Sequence, residues 1–162
     1  MIEFFGWLQD SEMSTWVREA PTVWAFATVL TLHTFGMGVL VGASSVISLR
    51  VLGIGCGIPL GPMQTMLRMM WFGFWLNAVT GSVLFCVDAV SLGTSALFMV
   101  KLLLVALGIV MIVMIRRNVW GGRPGPVVVS SNAKLLAGAS LAVWIAAITA
   151  GRLLAYVGKG TA

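Results

Sequence analysis

Apolar residues dominate four stretches of this chain, and short glycine- and proline-rich breaks separate them. The first, about Pro21 to Leu49, lies within a run that carries no charge between Glu19 and Arg50. The others span about Met66 to Ala89, Ser95 to Ile115 and Ala133 to Val157. Each is close to the ~20 residues that a helix needs to cross the hydrocarbon core of a bilayer. The connections GIGCGIPLGP, VSLGT and WGGRPGP interrupt helices through glycine and proline. Pro21 suits a helical first turn, where its missing N–H costs nothing. The pattern predicts an all-α fold, a four-helix transmembrane bundle over residues 21–162.

Residues 1–20, MIEFFGWLQDSEMSTWVREA, follow a different pattern. Ile2, Phe4, Phe5 and Leu8 alternate with Glu3, Gln9 and Asp10, and Trp7 and Trp16 are rings that prefer a membrane interface. This predicts a short amphipathic helix lying on the membrane surface, with Ser11 and Ser14 as candidate caps. The segment opens with acidic residues and is amphipathic where a cleavable signal would have an apolar core, so it does not read as one.

Composition agrees with a membrane interior. Hydrophobic residues make up 59% of the chain and charged residues 9%, with a mean hydropathy of +1.02. A soluble domain carries about 25% charged residues. The length suits one compact bundle with no separate soluble domain. A net charge of +5 raises the question of nucleic acid, but the basic residues are dispersed and flank apolar runs. That distribution belongs to membrane topology, not to a nucleic-acid footprint. Arg50, Arg68, Arg116, Arg117, Arg123 and Lys134 flank the first and third connections with no acid among them. Arg18, Lys101, Arg152 and Lys159 lie on the other side with every acid: Glu3, Asp10, Glu12, Glu19 and Asp88. The asymmetry predicts cytoplasmic first and third loops and both termini outside, which in a bacterium is the periplasm.

Candidate chemistry is sparse. His33, the single histidine, sits about 11 residues into the first span, or ~16 Å deep at 1.5 Å per residue. A buried imidazole in hydrocarbon needs a partner. It either hydrogen-bonds a neighbouring helix or binds a ligand, with haem the leading candidate through Nε2. Gly36, one turn on, would clear space for a flat macrocycle, and a second axial ligand would come from Met37, Met111, Met114 or a partner subunit, or be absent. Gly38 and Gly42 form a small-xxx-small pair that invites another helix. Gly73, Asn77 and Gly81 share one face of the second span, the pattern of a tight seam with Asn77 bonding across it. Trp71, Phe72, Phe74 and Trp75 read as an aromatic belt. Lys101 either snorkels or pairs with Asp88 across the second connection, and a proton relay is the alternative for Asp88. Arg152 either snorkels to lipid phosphates or meets an acidic partner such as a haem propionate. Met63, Met66, Met69 and Met70 repeat at helical spacing, so they are packing residues or thioether ligands for Cu(I). Cys56 and Cys86 read as structural. No nucleophile elbow, phosphate loop or paired-carboxylate motif is visible, so catalysis by this chain alone is not expected.

The segments REAPTVW, LHTFGMGVLVGASSVISLRVLGIG, NAVTGSVLFCVDA, FMVKLLL and SLAVWIAAITAGRLLAY occur in this order. Over nearly the whole chain they resemble an uncharacterised family of small four-helix bacterial inner-membrane proteins. The most specific pieces are the block from Leu32 to Gly53 and the AGR around Arg152. More remotely, the layout is similar to copper-resistance D and cytochrome b561-type membrane proteins, some of which hold haem between helices. Many of those have a further histidine in the third span, where this chain reads LLLVALGIVMIVMI, so His33 is the one ligand the resemblance carries over. Three functions follow as expectations. The first is a membrane-anchoring electron-transfer subunit of the inner membrane. There His33 would ligate one b-type haem, with Gly36 beside it and Arg152 and Lys101 balancing the propionates. A periplasmic redox subunit would be one partner and quinone another. The second is a non-catalytic structural subunit of a membrane complex, in which His33, Asn77 and the glycines only make seams. The third is a small metal or proton carrier using the methionines or Asp88.

Overall fold

The computed structural model describes residues 2–19, 24–121 and 129–157, which form seven helices with no strand among them. Pro21, Arg123 and Lys159, and the expected boundary after residue 20, lie outside the described residues. Two short helices come first, α1 (Ile2–Gln9) and α2 (Glu12–Glu19). The long helices are α3 (Trp24–Leu52), α4 (Gln64–Val87), α6 (Ala96–Trp120) and α7 (Ser131–Val157), with the short α5 (Ala89–Thr94) between α4 and α6. All four long helices have the length and apolar character to cross a membrane, and the protein is a multi-pass helical bundle of the lipid bilayer.

Helix ends follow local chemistry. α3 ends in a Schellman arrangement, with Ile54 N–H donating to Leu49 O (3.0 Å), Gly53 N–H to Arg50 O (3.2 Å), and Gly53 at φ +103°. Only glycine adopts that φ without strain. Arg50 then ties down the 53–63 connection, its Nε donating to Ile58 O (2.6 Å). Ser95 caps α6 by accepting Phe98 N–H (3.4 Å), and Ser130 caps α7 by accepting Ala133 N–H (3.2 Å). The span boundaries shift accordingly. α6 continues through Arg116 and Arg117 to Trp120, five residues beyond the expected Ile115, because a helix need not stop where the hydrocarbon does. The expected loop VSLGT lies wholly within α5, which is set off from α4 by the non-helical Asp88 (φ −133°, ψ 48°).

Packing runs in the order α4–α3–α7–α6, with α3 and α7 central. Lipid tails are as apolar as leucine, so helices associate through close van der Waals packing and small residues, not through escape from water. On α7 the buried residues are Ala133, Ala137, Ser140, Trp144, Ala147 and Ala150. Their three- and four-residue spacing makes one continuous seam. Leu40, Ile47 and Val51 of α3, Met70 of α4 and Ile112 and Ile115 of α6 complete the core around Trp144. The indole lies over Gly108 of α6, where an added Cβ would be 2.8 Å from Trp144 Cζ2. Other faces carry Leu103, Val79 and Ile145, more than 60% exposed, toward the lipid.

The N-terminal segment differs from the expected single surface helix. It is two helices, turned at Asp10–Ser11 and docked on the α4–α5 corner. Phe5 fills the space beside Gly93 and meets Phe85 edge-on at 6.0 Å. Gln9 Oε1 accepts Val90 N–H (3.1 Å), and Ser14 Oγ donates to Cys86 O (3.0 Å). Ser11 is the cap, accepting Ser14 N–H (3.4 Å), whereas Ser14 is buried and spends its hydroxyl on α4.

The Gly108–Trp144 contact gives a test. Gly108→Ala should lower thermal stability in detergent by about 1–3 kcal/mol, since a rigid indole has no room to yield. That cost should shrink in a Trp144→Leu background, as read from a double-mutant cycle.

Candidate functional site

His33 lies about nine residues into α3, ~14 Å along its axis, and faces α4. Its Nδ1 is 3.2 Å from Asn77 O and 3.1 Å from Thr80 Oγ1. The Thr80 hydroxyl has one proton, which it donates to Leu76 O at 2.6 Å, so toward the imidazole it is an acceptor. Both neighbours of Nδ1 therefore accept, and Nδ1 carries a proton. Asn77 completes a reciprocal clasp, its Nδ2 donating to His33 O at 2.9 Å. Among the described residues no group hydrogen-bonds Nε2.

Glycines bring the two helices this close. A Cβ on Gly73 would lie 2.6 Å from Leu40 N and 2.9 Å from Gly36 O. A Cβ on Gly36 would lie 2.9 Å from Asn77 N and 3.2 Å from Gly73 O. One on Gly81 would lie 2.9 Å from His33 Cε1. The expected seam of Gly73, Asn77 and Gly81 is thus present, and the histidine is its polar centre. Thr80 was not anticipated, although it is three residues from Asn77 and so on the same face.

The cradle does not fit a macrocycle between α3 and α4. Gly36 does not clear a slot for a flat ring; the α4 backbone already occupies that space. Lys101 of α6 runs its side chain over Gly151 of α7, with Cε 3.6 Å from where a Cβ would be. Arg152 is exposed. Lys101 and Asp88 do not pair: among the described residues the ion pair found is Arg18–Glu19, at 3.9 Å.

Three further expectations change. A Cβ on Gly38 or Gly42 would meet nothing within 4 Å, because the contact face of α3 runs through Gly36, Leu40, Ala43 and Ile47. The methionines diverge, with Met63 and Met70 buried and Met69 47% exposed, so they do not form one thioether site. Among the described residues no three of His, Cys, Asp and Glu gather as a metal group. Met37, the nearest candidate for a second axial position, is one turn along the same helix as His33 and cannot face it across a ring. Comparisons with protein-family models, curated proteins and solved structures found no match to this chain.

Two substitutions separate the components of the seam. Asn77→Leu removes both the side-chain bond and its polarity and should cost about 1 kcal/mol, in the range of interhelical hydrogen bonds in membranes. Gly73→Leu drives a side chain into the α3 backbone and should cost more, lowering the thermal midpoint in detergent further than Asn77→Leu does.

Proposed function

We propose that the protein is a non-catalytic structural subunit that anchors a complex in the bacterial inner (plasma) membrane. The observation that supports this most is the use made of its one imidazole. Nδ1, the Asn77 amide and Thr80 are committed to holding α3 against α4, the space at Gly36 and Gly73 is filled by backbone, and that at Gly81 by the imidazole itself. Polar groups used this way build a scaffold. The charge asymmetry favours the periplasm for both termini, with Arg50, Arg68, Arg116, Arg117 and Lys134 at the opposite end.

A second reading rests on one specific feature. A histidine that donates Nδ1–H to a carbonyl is oriented as metal-ligating histidines are, with Nε2 left as the ligand atom. In that reading Nε2 is one axial ligand of a b-type haem held jointly with another subunit, which supplies the remaining ligand and most of the cavity. Electron transfer, with a periplasmic redox subunit or quinone as partner, belongs to this reading alone.

Absorption spectra of protein purified after expression with ample haem distinguish the two. For a scaffold, the reduced-minus-oxidised difference is flat and mild-detergent extracts hold the chain with a second protein at constant stoichiometry. A b-type α-band that disappears in His33→Ala, with the fold retained, would install the second reading instead. Orientation is read with native Cys56, which is exposed in the 53–63 connection. In a Cys86→Ser background a membrane-impermeant maleimide should label inverted vesicles and leave intact spheroplasts unlabelled. The reverse result would invert the topology.

A further inference from the structure

At the end of the bundle opposite the N-terminal helices, α4 and α6 part to leave a cleft of about 690 Å³. Arg68 of α4 and Arg116 and Arg117 of α6 line it, with Trp71 and Trp120 as aromatic walls. The arginines are far apart in sequence, and the fold brings them to one opening. Leu67 and Val113 continue the wall into the apolar gap between the helices.

Among the described residues no carboxylate pairs with these guanidinium groups. Every acid is Glu3, Asp10, Glu12, Glu19 or Asp88. Asp88, at the far end of α4, is roughly 30 Å from Arg68 along the helix, several Debye lengths at physiological salt. Arg50 is already satisfied by loop carbonyls, but no described residue accepts a hydrogen bond from Arg68, Arg116 or Arg117. Trp120 is held in place by donating Nε1–H to Leu60 O at 3.1 Å, so that wall is fixed before anything binds.

We infer that this cleft binds the headgroup of an anionic phospholipid with two phosphates, of the cardiolipin type. Guanidinium matches phosphate oxygens through paired N–H donors. Basic pockets between spanning helices suit such headgroups. Three cations exceed what a single phosphodiester balances and suit two. The apolar depth between α4 and α6 receives acyl chains, which distinguishes a lipid from free phosphate as the occupant. The volume falls in the usual range for small-molecule sites.

Native mass spectrometry of the detergent-purified full-length protein tests this, with cardiolipin, phosphatidylglycerol and phosphatidylcholine of matched acyl chains. Cardiolipin should bind with one molecule per chain and at least about tenfold more tightly than phosphatidylcholine. Arg68→Gln and Arg116→Gln should each weaken it about fivefold. Lys134→Gln should leave it unchanged, because Lys134 is a cation of the same end that does not line the cleft. Equal binding of the zwitterionic lipid, or an equal loss in Lys134→Gln, would overturn the site in favour of diffuse attraction. Displacement of cardiolipin by millimolar inorganic phosphate would overturn it in favour of a soluble anion. Circular dichroism of each variant verifies the fold, and Arg117→Gln replaces any variant that does not assemble.

Discussion

Gly36 and Gly73 bring two helix backbones into contact, and the register of α3 on α4 depends on that approach. The Gly73 α-carbon lies so near Leu40 N that a methyl group would be 2.6 Å away, and Gly36 is nearly as tight against Asn77 N. Close approach yields dispersion contacts that compensate for the missing hydrophobic drive in lipid. It also brings polar atoms within reach of one another at a depth where no water can satisfy them. His33, Asn77 and Thr80 bond across the seam because the glycines have already brought their helices together. The imidazole also grips Gly81 by its edge, so a shift of either helix by one residue would break several contacts at once.

The rest of the bundle packs onto this seam. α3 presents Leu40, Ile47 and Val51 to the shared core, and α7 answers with a stripe of alanines and one tryptophan. Small residues let α7 sit close, and Trp144 fills the volume they leave beside Gly108. At the N-terminal end, α1 and α2 close the α4–α5 corner through Phe5, Gln9 and Ser14. That cover supports α5, in which Val90, Gly93 and Thr94 are weak helix formers.

Much of this was legible in the chain, and the parts that were not share a cause. Length and hydropathy predicted the four spans because the bilayer imposes both. The Gly73–Asn77–Gly81 seam was readable because four-residue spacing selects one helix face. The same spacing in Gly38 and Gly42 misled, because periodicity identifies a face without saying what lies against it. Gly36 posed the complementary problem: the sequence signals a missing side chain, and only the fold tells whether a backbone or a ligand occupies the gap. Arg68, Arg116 and Arg117 looked like dispersed topology signals because their convergence is tertiary. Thr80 escaped notice because a threonine in a spanning helix ordinarily spends its hydroxyl on its own backbone, as this one also does toward Leu76.

The open side between α4 and α6 follows from the solvent. In water a gap lined by Leu67 and Val113 would close to bury its apolar walls. In a bilayer, acyl chains fill such a gap at little cost, so closure has no comparable drive. Like charge opposes it further: Arg68 faces Arg116 and Arg117 with no carboxylate between them, and bringing the helices together would crowd three cations. The gap therefore persists for the same reason that the α3–α4 seam is tight. Without a hydrophobic drive, helices meet where glycines and reciprocal hydrogen bonds reward contact, and stay apart where bulky rings and unpaired guanidinium groups do not.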